Sequence, residues 1–178
     1  MHFKKKPMQQ LKFILLFVLS IPIFSNAQST KKELLVLDYL TVNGSMGQYN
    51  FAYDQLLEML TTRYPETTAN AQQWKFLKEN KSKALQEMKS LLVPVYDANF
   101  TQTEITKMLA FYKSETGKQL LADRSVMTPD QKEALNTFYN SEVGKNIIEK
   151  QAVLGGAISK VSEQWSRDLY ETALSLLK

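Results

Sequence analysis

The sequence predicts an all-α fold, a multi-helix bundle of about six to seven helices. Three observations predict it. Apolar residues recur at helical spacing along most of the chain, no stretch alternates apolar and polar residues as a half-buried strand does, and one helix–turn–helix unit is written twice in tandem, at 101–127 and 128–154.

The N-terminus stands apart from the rest. Lys4, Lys5, Lys6 and Lys12 make a basic start with no acidic residue, Phe13 to Phe24 is apolar but for Ser20 and Pro22, and Ser25-Asn26-Ala27 ends on a small residue. This is the three-part pattern of a cleavable secretory signal over residues 1–27, with Gln28 first after cleavage. A membrane anchor needs roughly 20 apolar residues, more than this run supplies. Pro22 also disfavours a helix there. The absence of Cys excludes lipid attachment at the cleavage point. The expectation is an exported protein, periplasmic or secreted, whose residues 28–178 form a single helical domain with no transmembrane segment.

Removing the signal changes the chemistry. The chain carries 22 Lys and Arg against 18 Asp and Glu, and the four N-terminal lysines account for its net charge of +4. Residues 28–178 are balanced in charge and have no Lys/Arg-rich block, which argues against nucleic acid as a partner. His2 is the only histidine and there is no cysteine. A chain starting at Gln28 therefore cannot assemble a Ser-His-Asp triad, a Cys-His dyad or a usual zinc site. Neither a metal nor a cofactor is expected. About 150 residues suffice to bury a core without disulfides.

The helices are read in order. Lys31 to about Val42 carries Leu34, Leu35, Leu37 and Leu40 and stops at Asn43-Gly44. Ser45 to Tyr64 places Met46, Tyr49, Tyr53, Leu56, Leu57, Leu60 and Tyr64 on one stripe, closed by Pro65. A third helix is expected from about Ala69 to Asp97, with Trp74, Leu77, Leu85, Met88, Leu92 and Tyr96 inward and Pro94 kinking or interrupting its last turn. Thr101-Gln102-Thr103-Glu104 is a capping box that opens the next helix. Thr128-Pro129-Asp130-Gln131 is a second such start, with Pro at the first helical position. The last helix is long, about Glu142 to Leu177, with Ile147, Leu154, Ile158, Val161, Trp165, Leu169 and Leu176 as its stripe. Gly155-Gly156 is a place where it thins or bends.

Aligning the two Thr starts gives the repeat, with an offset of 27 residues and eight of 27 positions identical. Phe111-Tyr112-Lys113-Ser114-Glu115-Thr116-Gly117-Lys118 matches Phe138-Tyr139-Asn140-Ser141-Glu142-Val143-Gly144-Lys145. Phe-Tyr ends one helix, Ser114 or Ser141 caps the next, and Glu115 or Glu142 suits its positive end. Gly117 and Gly144 then fall in the first turn, where Gly allows backbone to approach backbone. In a competing reading, Gly is the C-cap of the preceding helix.

These residues resemble a known family. Val95-Tyr96 through Phe100-Thr101, Glu104-Ile105, Phe111-Tyr112-Lys113-Ser114 and Gly117-Lys118 are similar to the signature of the exported bacterial family called domain of unknown function 2059 (DUF2059). The second copy, followed by Glu149-Lys150-Gln151 and later Trp165, resembles the family's closing part. The resemblance is loose over 31–170 and good over 92–170. The family pattern has Pro after Ser, where this chain has Glu115 and Glu142. The resemblance implies an all-α exported domain and no particular activity.

Few groups are left to carry chemistry. Asp54 with Glu58, and Glu163 with Arg167, lie one helical turn apart, but solvated helix faces carry such pairs routinely. A glycosidase needs two carboxylates in a cleft. Ser114 with Lys118 invites comparison with a Ser–Lys nucleophile pair, at the wrong spacing. Three sequons, at Asn43, Asn80 and Asn99, are coincidental in an exported bacterial protein. Tyr96, Phe111, Tyr112, Phe138, Tyr139 and Trp165 are the candidate binding residues. They either line a groove or fill the space between helices. Thr101, Glu104, Ser114, Gly117, Thr128, Ser141 and Gly144 are the structural motif. The expected function is a non-catalytic helical interaction module of the envelope. A carrier of a small apolar or lipid-like ligand is the alternative, and a carboxylate-dependent hydrolase comes third. The expected partner is an envelope protein or a small apolar molecule.

Overall fold

A computed structural model describes residues 24–178, with side chains from residue 31. Most of the expected signal segment lies outside the described residues, and its last four residues begin the first helix. Eight α-helices follow one another: α1 (Phe24–Val42), α2 (Ser45–Arg63), α3 (Ala71–Glu79), α4 (Lys81–Asn99), α5 (Gln102–Lys113), α6 (Glu115–Ala122), α7 (Pro129–Asn140) and α8 (Glu142–Leu177). A single 3₁₀ turn, Arg124–Val126, separates α6 from α7, and the described residues contain no strand. The bundle is all-α, as expected, with eight helices rather than six or seven.

The extra helix comes from a break at Asn80 in what reads as one long helix. Asn80 ends α3 by donating its N–H to the Phe76 carbonyl, and its own carbonyl accepts from Ala84 N–H as α4 begins. The Leu77 carbonyl, which a continuous helix would pair with residue 81, instead accepts the Tyr53 hydroxyl at 2.7 Å. Pro94, by contrast, does not interrupt α4, which runs on to Asn99. Pro94 and Ser90, whose carbonyl Pro94 leaves without its helical N–H partner, are both exposed residues.

The α1 core face also differs from the expected leucine stripe. Val36, Tyr39 and Leu40 are buried, whereas Leu34 is 59% exposed. The turn into α2 uses Gly44 at φ 80°, a left-handed conformation that suits glycine. Asn43 Oδ1 accepts the Ser45 N–H at 3.0 Å.

One core joins α1, α2, α4, α5 and α8 through Val36, Leu40, Tyr53, Met88, Ile105, Met108 and Trp165. A smaller cluster at the far end holds Leu60, Trp74, Leu77 and Ala173. The 36 residues of α8 extend about 54 Å at 1.5 Å per residue. They pass α7, α5, α4 and α3 in turn and tie the two clusters together. α8 continues without a break through Gly155 and Gly156. No described helix is long and apolar enough to cross a membrane.

Candidate functional site

The repeat is legible in the structure turn by turn. α5 and α7 each have 12 residues and start one position after a capping threonine. In each, the threonine oxygen accepts the N–H of the third helical residue, and that residue's side chain returns to the threonine N–H. At the corners, Ser114 Oγ accepts from Gly117 N–H at 3.1 Å and Ser141 Oγ from Gly144 N–H at 3.2 Å. The same hydroxyls donate back to the Phe111 and Phe138 carbonyls, each at 2.6 Å. Serine is therefore the cap and glycine the third residue of the next helix. Gly117 and Gly144 press on the preceding helix so closely that a Cβ would meet backbone in both copies.

Five of the six candidate aromatics fall into one chain of ring contacts. Phe111 and Phe138 stack across the two hairpins, with centroids 3.9 Å apart and planes 8° from parallel. Tyr139 meets Phe138 edge-on at one end, and Tyr112 meets Phe111 on the other side. Tyr112 meets Tyr39 of α1, Tyr39 meets Tyr96, and Tyr96 stacks on Phe100. Burial, with the Tyr139 hydroxyl beside it, pushes the Tyr112 hydroxyl pKa up. Burial does the same to Tyr39 and Tyr96. Tyr96 is buried, while Phe111, Tyr112, Phe138 and Tyr139 are half-buried. Tyr39 and Phe100 also belong to this run of rings and are not among the candidate binding residues read from the sequence; for Tyr39 the signal was available in the spacing of Val36-x-x-Tyr39-Leu40.

Trp165 lies elsewhere. It meets Tyr49 edge-on at 5.5 Å and donates its indole N–H to the Ala84 carbonyl at 3.1 Å. Tyr49 continues to Ser162 through a 2.8 Å hydroxyl contact. The six candidates thus form a five-membered run and one separate buried residue.

The charged candidates are paired at the surface. Asp54 meets Lys81 at 2.6 Å, Glu58 accepts from Gln55, and Glu163 meets Arg167 at 2.8 Å. Lys118 is held by Glu115 at 2.7 Å rather than by Ser114. Glu104 does more than cap. Its Oε1 accepts from Asn146 of α8 at 2.5 Å, and Lys150 of α8 donates to the Asn99 carbonyl beside it. Burial would raise the Glu104 pKa, but the Thr101 N–H and hydroxyl, the Asn146 amide and Lys150 outweigh it and hold the carboxyl below its ordinary range.

Of the clefts on the surface, two bear on binding. One, of about 440 Å³, lies between α4 and α8 against Leu91, Val95, Ala157 and Val161. The other, of about 280 Å³, is built by the second hairpin alone. Arg124 and Met127 form one side, and Lys132, Leu135, Asn136 and Tyr139 of α7 form the other. The same face of α5, through Ile105, Met108, Leu109 and Tyr112, is covered by α1. α7 packs chiefly on α6 and α8 and carries no such cover among the described residues.

In comparisons with known proteins, a family model described as an uncharacterised protein conserved in bacteria (DUF2059) matches residues 86–129 and 124–172. Each matched segment holds one copy of the Phe-Tyr-x-Ser-Glu-x-Gly-Lys corner. No curated protein and no solved structure matches the chain.

Proposed function

We propose that this chain, whose residues 86–172 belong to the uncharacterised bacterial family DUF2059, is a non-catalytic helical binding module that works outside the cytoplasm and takes its partner on the open face of the second hairpin. The observation that carries the reading is the unequal fate of two equivalent surfaces. The α5 face is filled by α1 within the chain. Its α7 counterpart is a cleft. In the second copy, exposed Arg124, Lys132 and Asn136 ring a floor of buried Met127 and Leu135, so the position that α1 fills in the first copy is in the second a charged, open cleft.

Other features support it. Most candidate aromatics are spent on packing, and the serines and carboxylates that a hydrolase would use are engaged in caps and surface pairs. Export rests on the basic start, short apolar middle and Ser25-Asn26-Ala27 exit of the N-terminus. N-terminal sequencing of the protein recovered from the envelope tests that part. Gln28 as first residue supports it, and an intact Met1 contradicts it.

The binding surface is tested with a photo-cross-linking amino acid placed at Asn136, inside the cleft, or at Glu163, on the exposed side of α8. One adduct of defined mass from position 136 alone is the expected result. Adducts from both positions, or from neither, overturn the reading.

A second reading is favoured by the apolar cleft between α4 and α8, whose Leu91, Val95 and Val161 walls suit an acyl chain. Co-purifying lipid in native mass spectra would support a carrier in place of a module.

A further inference from the structure

The six residues that line the α7 cleft have a common property. Shifted back by the repeat offset of 27, Arg124, Met127, Lys132, Leu135, Asn136 and Tyr139 become Asp97, Phe100, Ile105, Met108, Leu109 and Tyr112. That second set is the surface on which α1 rests. The local frames agree as well: each begins in a helical turn, passes an extended apolar residue (Phe100 or Met127, both buried) and enters a helix through a capping threonine.

The way α1 sits in its own site is therefore a template for whatever sits in the other. α1 presents Lys32, Val36, Tyr39 and Leu40, positions i, i+4, i+7 and i+8 of one face. Lys32 Nζ lies 3.0 Å from Asp97 Oδ1 and donates to the Asp97 carbonyl at 2.6 Å. Tyr39 meets the Tyr112 ring edge-on at 5.8 Å. Val36 and Leu40 are buried in the core that holds Ile105, Met108 and Leu109.

In the second copy the charge is inverted. Arg124 stands where Asp97 stood, and Lys132 replaces Ile105. Neither cation meets a carboxylate among the described residues. Tyr139 keeps the aromatic position, and Leu135 keeps the apolar floor. A helix docked as α1 docks would bring its first contact residue against Arg124, and a lysine there would be repelled. A second copy of α1 carries Lys32 at that position, so self-association through this face is disfavoured.

We propose that the α7 cleft binds an amphipathic helix of a partner protein. This helix carries a carboxylate where α1 carries Lys32, an aliphatic residue four positions on and an aromatic residue seven positions on. The inference rests on the module reading above and specifies the partner's chemistry. Carboxylate contacts to Arg124 and Lys132 set orientation and partner choice, and the aromatic and aliphatic side chains supply the buried contact.

The probes are two synthetic peptides of residues 29–43, one unaltered and one carrying Lys32→Glu, titrated against the intact purified chain by fluorescence anisotropy. The Lys32→Glu peptide is expected to bind at least tenfold more tightly than the unaltered one. Arg124→Glu and Lys132→Glu, both at exposed positions, are expected to reduce or reverse that preference while circular dichroism stays unchanged. Equal binding of the two peptides, or a preference indifferent to Arg124 and Lys132, overturns the proposal. If the cross-link at position 136 forms and the charge preference is absent, the partner chemistry is wrong and the module reading survives. Absence of both ends both.

Discussion

At Gly117 a Cβ would stand 2.2 Å from the Phe111 carbonyl oxygen, and at Gly144 the same distance from that of Phe138. Neither obstacle is a side-chain tip that can swing away; both are backbone of the preceding helix. Gly117→Ala and Gly144→Ala are each expected to cost about 3 kcal/mol, the upper part of the range for overpacking a tight site. Thermal melts should fall by about 6–12 °C in a domain of this size. Gly155 is the control, because a Cβ there meets nothing within 4 Å. Gly155→Ala in mid-helix should gain about 0.5–1 kcal/mol. At this scale the sequence was highly informative. A hydroxyl three residues before a free N–H is a local relation, so the Thr101, Thr128, Ser114 and Ser141 caps were legible without any tertiary knowledge, and all four are present.

Helices show where local reading stops. The α3–α4 break was not legible, because its cause is a hydroxyl 24 residues away in sequence: Tyr53 takes the Leu77 carbonyl that helix continuation would need. Pro94 misled in the opposite direction, since its cost depends on whether the orphaned carbonyl reaches water. The α1 stripe is only partly the expected one: Leu40 is buried and Leu35 packs on the core, but Leu34 is exposed. Leu34 yields the inward face to Val36 and Tyr39, on the side where Lys32 pairs with Asp97 and Tyr39 meets Tyr112. Tyr53→Phe tests the account of the break. The tyrosine is 2% exposed, so its removal leaves a buried carbonyl unpaired and is expected to cost about 1–3 kcal/mol by thermal or denaturant melting. A loss near zero would mean the break does not depend on that bond.

Across the whole molecule, two hairpins of equal design are used unequally. The first is locked in at both ends, by α1 on its face and by Glu104 reaching Asn146 of α8. The folded-state pKa of Glu104 is held below its ordinary value of about 4.3. Its contribution is therefore present above that pH and lost as pH falls through the depressed folded-state value. Glu104→Gln should flatten the acid limb of a pH–stability curve below about pH 4.3 and leave neutral pH less affected than Glu104→Ala does. The aromatic candidates were legible as a group, since five of six meet in one run. The cleft was not, although its ingredients were: the 27-residue offset places Arg124 opposite Asp97 and Lys132 opposite Ile105, but only the docking of α1 on α5 shows what those positions are for.

The most direct test is a two-dimensional amide NMR titration of the isotopically labelled chain with the Lys32→Glu peptide of residues 29–43. Shifts confined to 124–127 and 132–139 are the predicted result. Shifts that map instead to Leu91, Val95 and Val161, or no shifts at all, would contradict the claim that the second hairpin offers an open receptor face.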